Sequence, residues 1–335
     1  MNSEDRPRKP YFKHLISFPG GGVRGICSAI FLRELTKPDP KTGRPSIDLG
    51  TTYSISGTST GAIIAAALCR KNPYSPAEIV ELFSELSKVV FHRSSWKPAW
   101  LDRIVSFAPY DIKKLEDVLK VNLGENMLIG DCERRFVCVT YRLNGRFQSQ
   151  PASTPLVIHS HGSKFPLEDF SEVPLYKAVT SSCAAPGYFK PYEWEHRGEK
   201  FICVDGGIIS NISVLANYAV CRDRFSGERV SRKEISSLVI GNGARYAHET
   251  IHSLSGWRTP KMLQVLVSSL VQSNAIFELK LAKKFSQQRL FMLDSQPDRD
   301  IDLADYKSID YLRKYAEERS KNLGLARAWL RGYFI

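Results

Sequence analysis

The first readable pattern is a short apolar run at residues 14–18, a glycine cluster at Gly20–Gly25, and a helix-compatible stretch at 26–35. β-Branched and aromatic residues at 51–56 predict a second strand. Residues 62–69, directly after Gly57–Gly61, are apolar nearly all round, which predicts a helix buried against a sheet. Pro76 suits a helix start, and Ile79, Leu82, Phe83 and Leu86 carry that helix to about Val90 at i, i+3, i+4, i+7 spacing. Helices are also expected at 111–121 and 308–330, and Leu263, Leu266, Val267, Leu270, Phe277 and Leu281 form a helical stripe expected to pack into the core. Further strands are expected at 136–141, 156–159, 200–204, 238–241 and 290–293. Strands alternating with helices predict an α/β fold: a three-layer αβα arrangement around a mostly parallel central sheet, with additional helices. Residues 91–109 break this order, holding Trp96, Trp100 and Phe107 among prolines and basic residues. They are open between a lid, a lipid-facing loop and an irregular insertion, the last being the default.

At 335 residues with no internal repeat and no Gly/Ser linker, the chain reads as one large α/β domain. Its catalytic core is expected at about 13–242, with helical closing elements at about 256–335. The 43% hydrophobic and 24% charged content excludes a disordered or fibrous chain. Forty-seven Lys+Arg against 35 Asp+Glu leave a charge of +12, which draws a protein toward anionic membrane surfaces or nucleic acid. Nucleic acid is disfavoured because the charge is diffuse and no binding motif accompanies it. Residues 1–14 lack the apolar segment of a secretory leader, and the run at 62–69 is far short of the about 20 residues that span a bilayer. A soluble or peripheral protein of the cytoplasm is expected. Seven cysteines without a C-x-x-C pair agree with a reducing compartment and argue against zinc.

Gly57-Thr58-Ser59-Thr60-Gly61 matches G-x-S-x-G between a predicted strand and a predicted helix, the setting of a nucleophile elbow. A serine on so tight a turn needs neighbours without Cβ atoms, and its hydroxyl then stands at a helix N-terminus; the plainer alternative is that Ser59 only caps the helix. In Gly20-Gly21-Gly22-Val23-Arg24-Gly25, backbone N–H groups converge on an anion, either a bound phosphate or the oxyanion formed when an ester is attacked. Gly20, Gly22 and Gly25 also satisfy the dinucleotide fingerprint. The ribose-binding acid would then be Asp48, which precedes the second strand rather than ending it. With Ser59 downstream, the oxyanion role is favoured. Asp205-Gly206-Gly207 closes another strand, so a parallel sheet would bring all three features to one edge and make Asp205 the candidate base. None of the seven histidines stands in a hydrolase-like motif, and His159-Ser160-His161 is too isolated for a metal site.

Taken in order, the G-G-G-x-R-G turn, the G-x-S-x-G elbow and the D-G-G triplet give a chain that resembles the patatin-like phospholipases. Residues 181–189 (SSCAAPGYF) resemble a block that precedes the D-G-G strand in that family. The similarity runs from about Leu15 to Asn211, with a looser likeness to the family's closing helix at 302–318. Pro19 departs from the pattern, since many members have aspartate there. The resemblance implies a patatin-like fold and a lipid acyl hydrolase, or phospholipase A. Ser59 would attack a fatty-acyl ester of a membrane glycerolipid and form an acyl-enzyme, while Asp205 takes its proton and later activates water. The turn Gly20, Gly21, Gly22, Val23, Arg24 and Gly25 would supply the oxyanion hole, chiefly through Gly21 and Gly22. Gly57, Thr60, Gly61, Gly206 and Gly207 would support the elbow and the triplet. No cofactor and no metal are implied. Arg24 is open between steadying the turn and facing a lipid phosphate. Some bacterial members are switched on by cyclic nucleotides and others by host proteins, and the residues here report neither activator. Lys261, Lys280, Lys283 and Lys284 flank the late apolar stripe, and Trp96 and Trp100 are candidates for a membrane interface. Two other classes stay open: a dinucleotide-binding oxidoreductase and a non-catalytic lipid- or partner-binding module.

Overall fold

Strand β1 (Lys13–Phe18) alternates its side chains between two cores: Ile16 and Phe18 face one and Leu15 the other, as a strand covered on both sides requires. The structure is a computed structural model that describes residues 12–91, 108–161, 169–222, 230–244 and 259–334. β1 pairs in parallel with β2 (Thr52–Thr58) on one side and β7 (Ile235–Ile240) on the other. β2 continues in parallel to β3 (Arg135–Phe147), and β7 to β8 (Leu290–Leu293). Three antiparallel strands, β4 (Gln150–His159), β5 (Tyr192–His196) and β6 (Glu199–Asp205), complete the eight-stranded sheet.

The larger core packs α1 (Gly25–Thr36), α2 (Thr60–Cys69), α3 (Pro76–Phe91), α4 (Ile112–Leu123) and α5 (Leu175–Cys183) against one face. All ten residues of α2 are buried, as its apolar composition requires. The smaller core lies under α6 (Val214–Cys221) and the long α7 (Thr259–Ser286). The C-terminal helices α8 (Ile309–Ser320) and α9 (Gly324–Tyr333) return to the larger core. The result is a three-layer α/β/α fold with a mostly parallel sheet.

Three expectations need correction. The tail is two helices rather than one, broken at Lys321–Leu323. The late stripe is not core: Leu266, Leu270 and Phe277 are exposed at 51%, 53% and 63%, whereas Ala275, Glu278, Ala282 and Ser286 turn inward. Small and polar residues form the buried side because α7 lies close over a turn that must be hydrogen-bonded. Finally, β6 runs against β3, so Asp205 does not reach the site along a shared parallel edge. Trp96, Trp100, Phe107, His92, His248, His252 and the side chains of Lys261 and Leu263 lie outside the described residues.

Candidate active site

The register of β3 explains how Ser59 and Asp205 meet. Val139 pairs with Thr58 of β2 on one side and Val157 of β4 on the other, while Thr140 pairs with Asp205 of β6 and Leu156 of β4. With β4 filling one edge of β3 throughout, β2 and β6 must share the other edge. They run toward each other, and their carboxyl ends stop at adjacent β3 positions about 3.3 Å apart along the strand. Ser59 leaves one end and Asp205 terminates the other. The sequence placed both residues at strand ends, but only the pairing shows that the approach is head to head.

At the elbow, Ser59 has φ 54° and ψ −127°, a conformation costly for a residue with a Cβ and characteristic of a strained strand-to-helix turn. Close packing enforces it: a methyl on Gly57 would lie 2.0 Å from the Gly61 carbonyl oxygen, and one on Gly61 2.0 Å from that of Phe18. The Ser59 N–H donates to Ser182 Oγ at 2.8 Å, and that hydroxyl donates to the Val139 carbonyl at 2.6 Å, tying the elbow to β3. Ser59 makes no side-chain cap to α2. Its hydroxyl instead interacts with the Asp205 carboxyl and with the thiol of Cys183.

Asp205 is 6% exposed, and burial pushes its pKa from 3.8 up to about 6. The Ser59 hydroxyl and the Gly207 N–H, which donates to Oδ1 at 2.7 Å, offset part of that rise. Burial also holds the Cys183 thiol well above its ordinary range, so this sulfur is a neutral thiol beside Ser59.

The glycine turn is held from four directions. Gly20 N–H donates to the Asn211 carbonyl at 3.2 Å, and Asn242 Nδ2 donates to the Gly20 carbonyl at 2.6 Å. Gly21 N–H donates to Thr60 Oγ1 at 3.1 Å, and Val23 N–H to the Leu303 carbonyl at 2.9 Å. The Arg24 and Gly25 N–H groups close the turn on Gly21, Gly22 and Val23 carbonyls. Among the described residues this leaves the Gly22 N–H without a protein acceptor, in a glycine at φ +58° that lines the pocket beside Ser59. Arg24 Nη1 donates to the Ile301 carbonyl at 2.9 Å, with Asp300 and Asp302 nearby. It braces the turn against the C-terminal segment.

Ser59 opens into a pocket of about 420 Å³, mouth included. Ile63, Leu86, Val90, Phe91, Leu115 and Phe189 are among the apolar residues of its wall, and Leu303 joins them from the tail. Asp205 stands behind Ser59 rather than on this wall. None of the described histidines lines the pocket. Asp48 caps the turn before β2 and is exposed, at the end of that strand opposite the glycine turn; the dinucleotide reading would need it about 20 Å nearer.

Sequence reasoning missed Ser182, Asn211, Asn242 and the 301–303 carbonyls. Ser182 was visible within SSCAAPGYF, and Asn211 stands four residues beyond Gly207. The backbone acceptors leave no sequence signal.

A family profile described as Patatin-like phospholipase matches residues 16–218. Patatin-like protein 2 of Oryza sativa subsp. indica is 27% identical over 244 residues, covering 66% of this chain and 57% of its own. The 85/88 kDa calcium-independent phospholipase A2 of Rattus norvegicus is 26% identical over 224 residues, covering 62% of this chain and 24% of its own. VipD from Legionella pneumophila superposes with a TM-score of 0.38 at 12% identity, over 95% of this chain and 67% of its own. The chain thus spans 57% of the rice relative's length and 24% of the rat protein's. The profile takes in the glycine turn, the elbow and Asp205 in one stretch that covers more than half of the 335 residues, and on that match the chain belongs to the patatin-like phospholipase family.

Proposed function

We propose that this protein is a lipid acyl hydrolase that cleaves fatty-acyl esters of membrane glycerolipids with Ser59 as nucleophile and Asp205 as base. The observation that carries this reading is the strained Ser59 at the floor of an apolar pocket, its hydroxyl against a buried carboxyl whose pKa is about 6. A pocket walled by aliphatic and aromatic side chains suits an acyl chain, since each buried methylene contributes about 0.8 kcal/mol. Ser59 Oγ attacks the ester carbonyl and passes its proton to Asp205. Negative charge then develops on the carbonyl oxygen beside the Gly22 N–H and the N-terminus of α2, both of which stabilise an anion. The alkoxide of the lipid takes the proton from Asp205 as it leaves, and the ester bond to Ser59 forms the acyl-enzyme. Water, deprotonated by Asp205, attacks that ester, and the fatty acid departs as Ser59 recovers its proton. Losing an oxyanion donor from such a site typically lowers the rate by about 10²–10³-fold.

The test combines labelling with product analysis. A fluorophosphonate probe labels Ser59 in the wild type and nothing in Ser59→Ala. Mass spectrometry of mixed glycerolipids shows fatty acid and lysolipid released by the wild type alone. Labelling that persists in Ser59→Ala refutes the assignment. A helper protein, a cyclic nucleotide or an anionic bilayer added to these reactions tests the activator and partner roles that the family resemblance raises.

A further inference from the structure

Helix α7 buries Ala275, Glu278, Ala282 and Ser286, small or polar residues, and carries exposed apolar residues among serines and lysines on its outward side. Inward, Glu278 is 4% exposed and accepts from Ser210 Oγ at 2.9 Å and from the N–H groups of Ile212 at 3.2 Å and Leu215 at 3.1 Å. The Asn274 amide donates to the Ile208 carbonyl. A methyl placed on Gly207 would meet Val271 Cγ2 at 3.6 Å. These contacts fasten α7 to the Asp205-Gly206-Gly207 turn.

Outward, Leu266, Leu270 and Phe277 fall within about 40° of one line on the helix, using 100° per residue, and that line runs about 16 Å. Each is more than half exposed, and Ile276 and Phe285 add exposed apolar area at 41% and 47%. Lys280 and Lys284 extend the stripe toward the C-terminus, and Lys283 lies about 100° round the helix from it, all exposed. The helix has one acidic residue, Glu278, and it is buried on the other side. Ile209, four residues beyond Asp205, is also exposed at 38%.

We infer that the outward face of α7 is a membrane-docking surface, taking up the anionic interface of a lipid bilayer. An apolar stripe suits the acyl boundary, and three lysines with no exposed acid on the helix match a negative headgroup layer. Lysine stems also extend past apolar area to place their charges at that level. The position gives the face its purpose, because one helix diameter, about 10 Å, separates it from the turn that carries Asp205. The apolar pocket opens from the α3 side of the same Ser59–Asp205 pair. A bilayer on α7 therefore lies on the side of the turn that follows Asp205, across the sheet from the pocket lining, and this inference rests on the lipid-hydrolase reading for its purpose though not for its physical test.

The test uses the full chain with Leu266→Ser, Leu270→Ser and Phe277→Ser combined, and separately with Lys280→Gln, Lys283→Gln and Lys284→Gln combined. Co-sedimentation is measured with vesicles of phosphatidylcholine alone and of phosphatidylcholine with phosphatidylserine. The apolar triple variant is expected to lose about 100-fold or more in vesicle binding. The lysine variant is expected to lose roughly 10- to 100-fold on anionic vesicles and to lose most of its salt dependence. Both are expected to hydrolyse a soluble short-chain ester at the wild-type rate, which also shows that they fold. Unchanged vesicle binding in the apolar variant overturns the inference. So does a wild-type dimer, seen by light scattering, that this variant converts to monomer, since the face would then bind a second copy. If the wild type binds vesicles through this face but cleaves no ester, docking stands and the hydrolase reading fails.

Discussion

Replacing Asp205 with asparagine should stabilise the fold while abolishing catalysis. Burial raises the native pKa from 3.8 to about 6, so between these values the native state holds a proton that the unfolded chain has released. Stability therefore falls as pH rises through that window, and the full penalty is present above about pH 6. A shift of about 2 units at 1.36 kcal/mol each amounts to about 3 kcal/mol. Asparagine carries no such ionisation. It keeps a carbonyl oxygen for the Gly207 N–H and turns an amide toward Ser59, so the shape of the site survives. Urea denaturation should show Asp205→Asn more stable than wild type by about 3 kcal/mol near pH 8, the difference closing toward about pH 3.5. Hydrolysis of a soluble ester should be lost, and wild-type kcat should climb with pH through about 6 as the base ionises. An asparagine variant less stable than wild type near pH 8, or a difference independent of pH, would refute the assignment of a desolvated base.

Ser182→Ala removes the acceptor of the Ser59 N–H and the donor to Val139, and should cost about 2 kcal/mol in denaturation and lower kcat more than it raises KM. Arg24→Gln should lower thermal stability and slow hydrolysis of neutral and phosphate-bearing lipids alike; a KM rise confined to phospholipids would instead mean that Arg24 reads the headgroup. Gly61→Ala, which puts a methyl 2.0 Å from the Phe18 carbonyl oxygen, should yield little folded protein on expression, and a soluble, active variant would show that the elbow can relax.

Most of the layered fold was legible because burial on two faces leaves period-two or all-apolar runs, as in β1 and α2. β5 and the first half of β4 were not: alternating Glu193, Trp194 and Glu195 face solvent and core in turn over only five residues, and Gln150–Pro155 is largely exposed. The direction of β6 was equally hidden, since hydropathy carries no sign for parallel or antiparallel pairing. Ser59 and Asp205 could be named because tight turns demand glycines that leave a spelling in the chain. Which N–H of the glycine turn faces the pocket could not, because Thr60 Oγ1 and the Leu303 and Asn211 carbonyls decide it from elsewhere in sequence. Helix α7 defeated the simplest rule: an apolar helical stripe faces the core unless the core side must hydrogen-bond a turn, and here Glu278 and Asn274 do that.

The stretch that identifies the family ends at Tyr218, yet the site does not. Asn242 holds the Gly20 carbonyl, Leu303 lines the pocket and accepts from the Val23 N–H, the Ile301 carbonyl receives Arg24, and Glu278 anchors the loop after Asp205. A strained serine and a desolvated carboxyl both raise the energy of the native state, so the surrounding structure must over-determine them. In this chain much of that restraint comes from segments more than 20 residues past the end of the profile match. Rate and stability should therefore respond together to changes in the 301–303 segment, even though only Leu303 of the three lines the pocket.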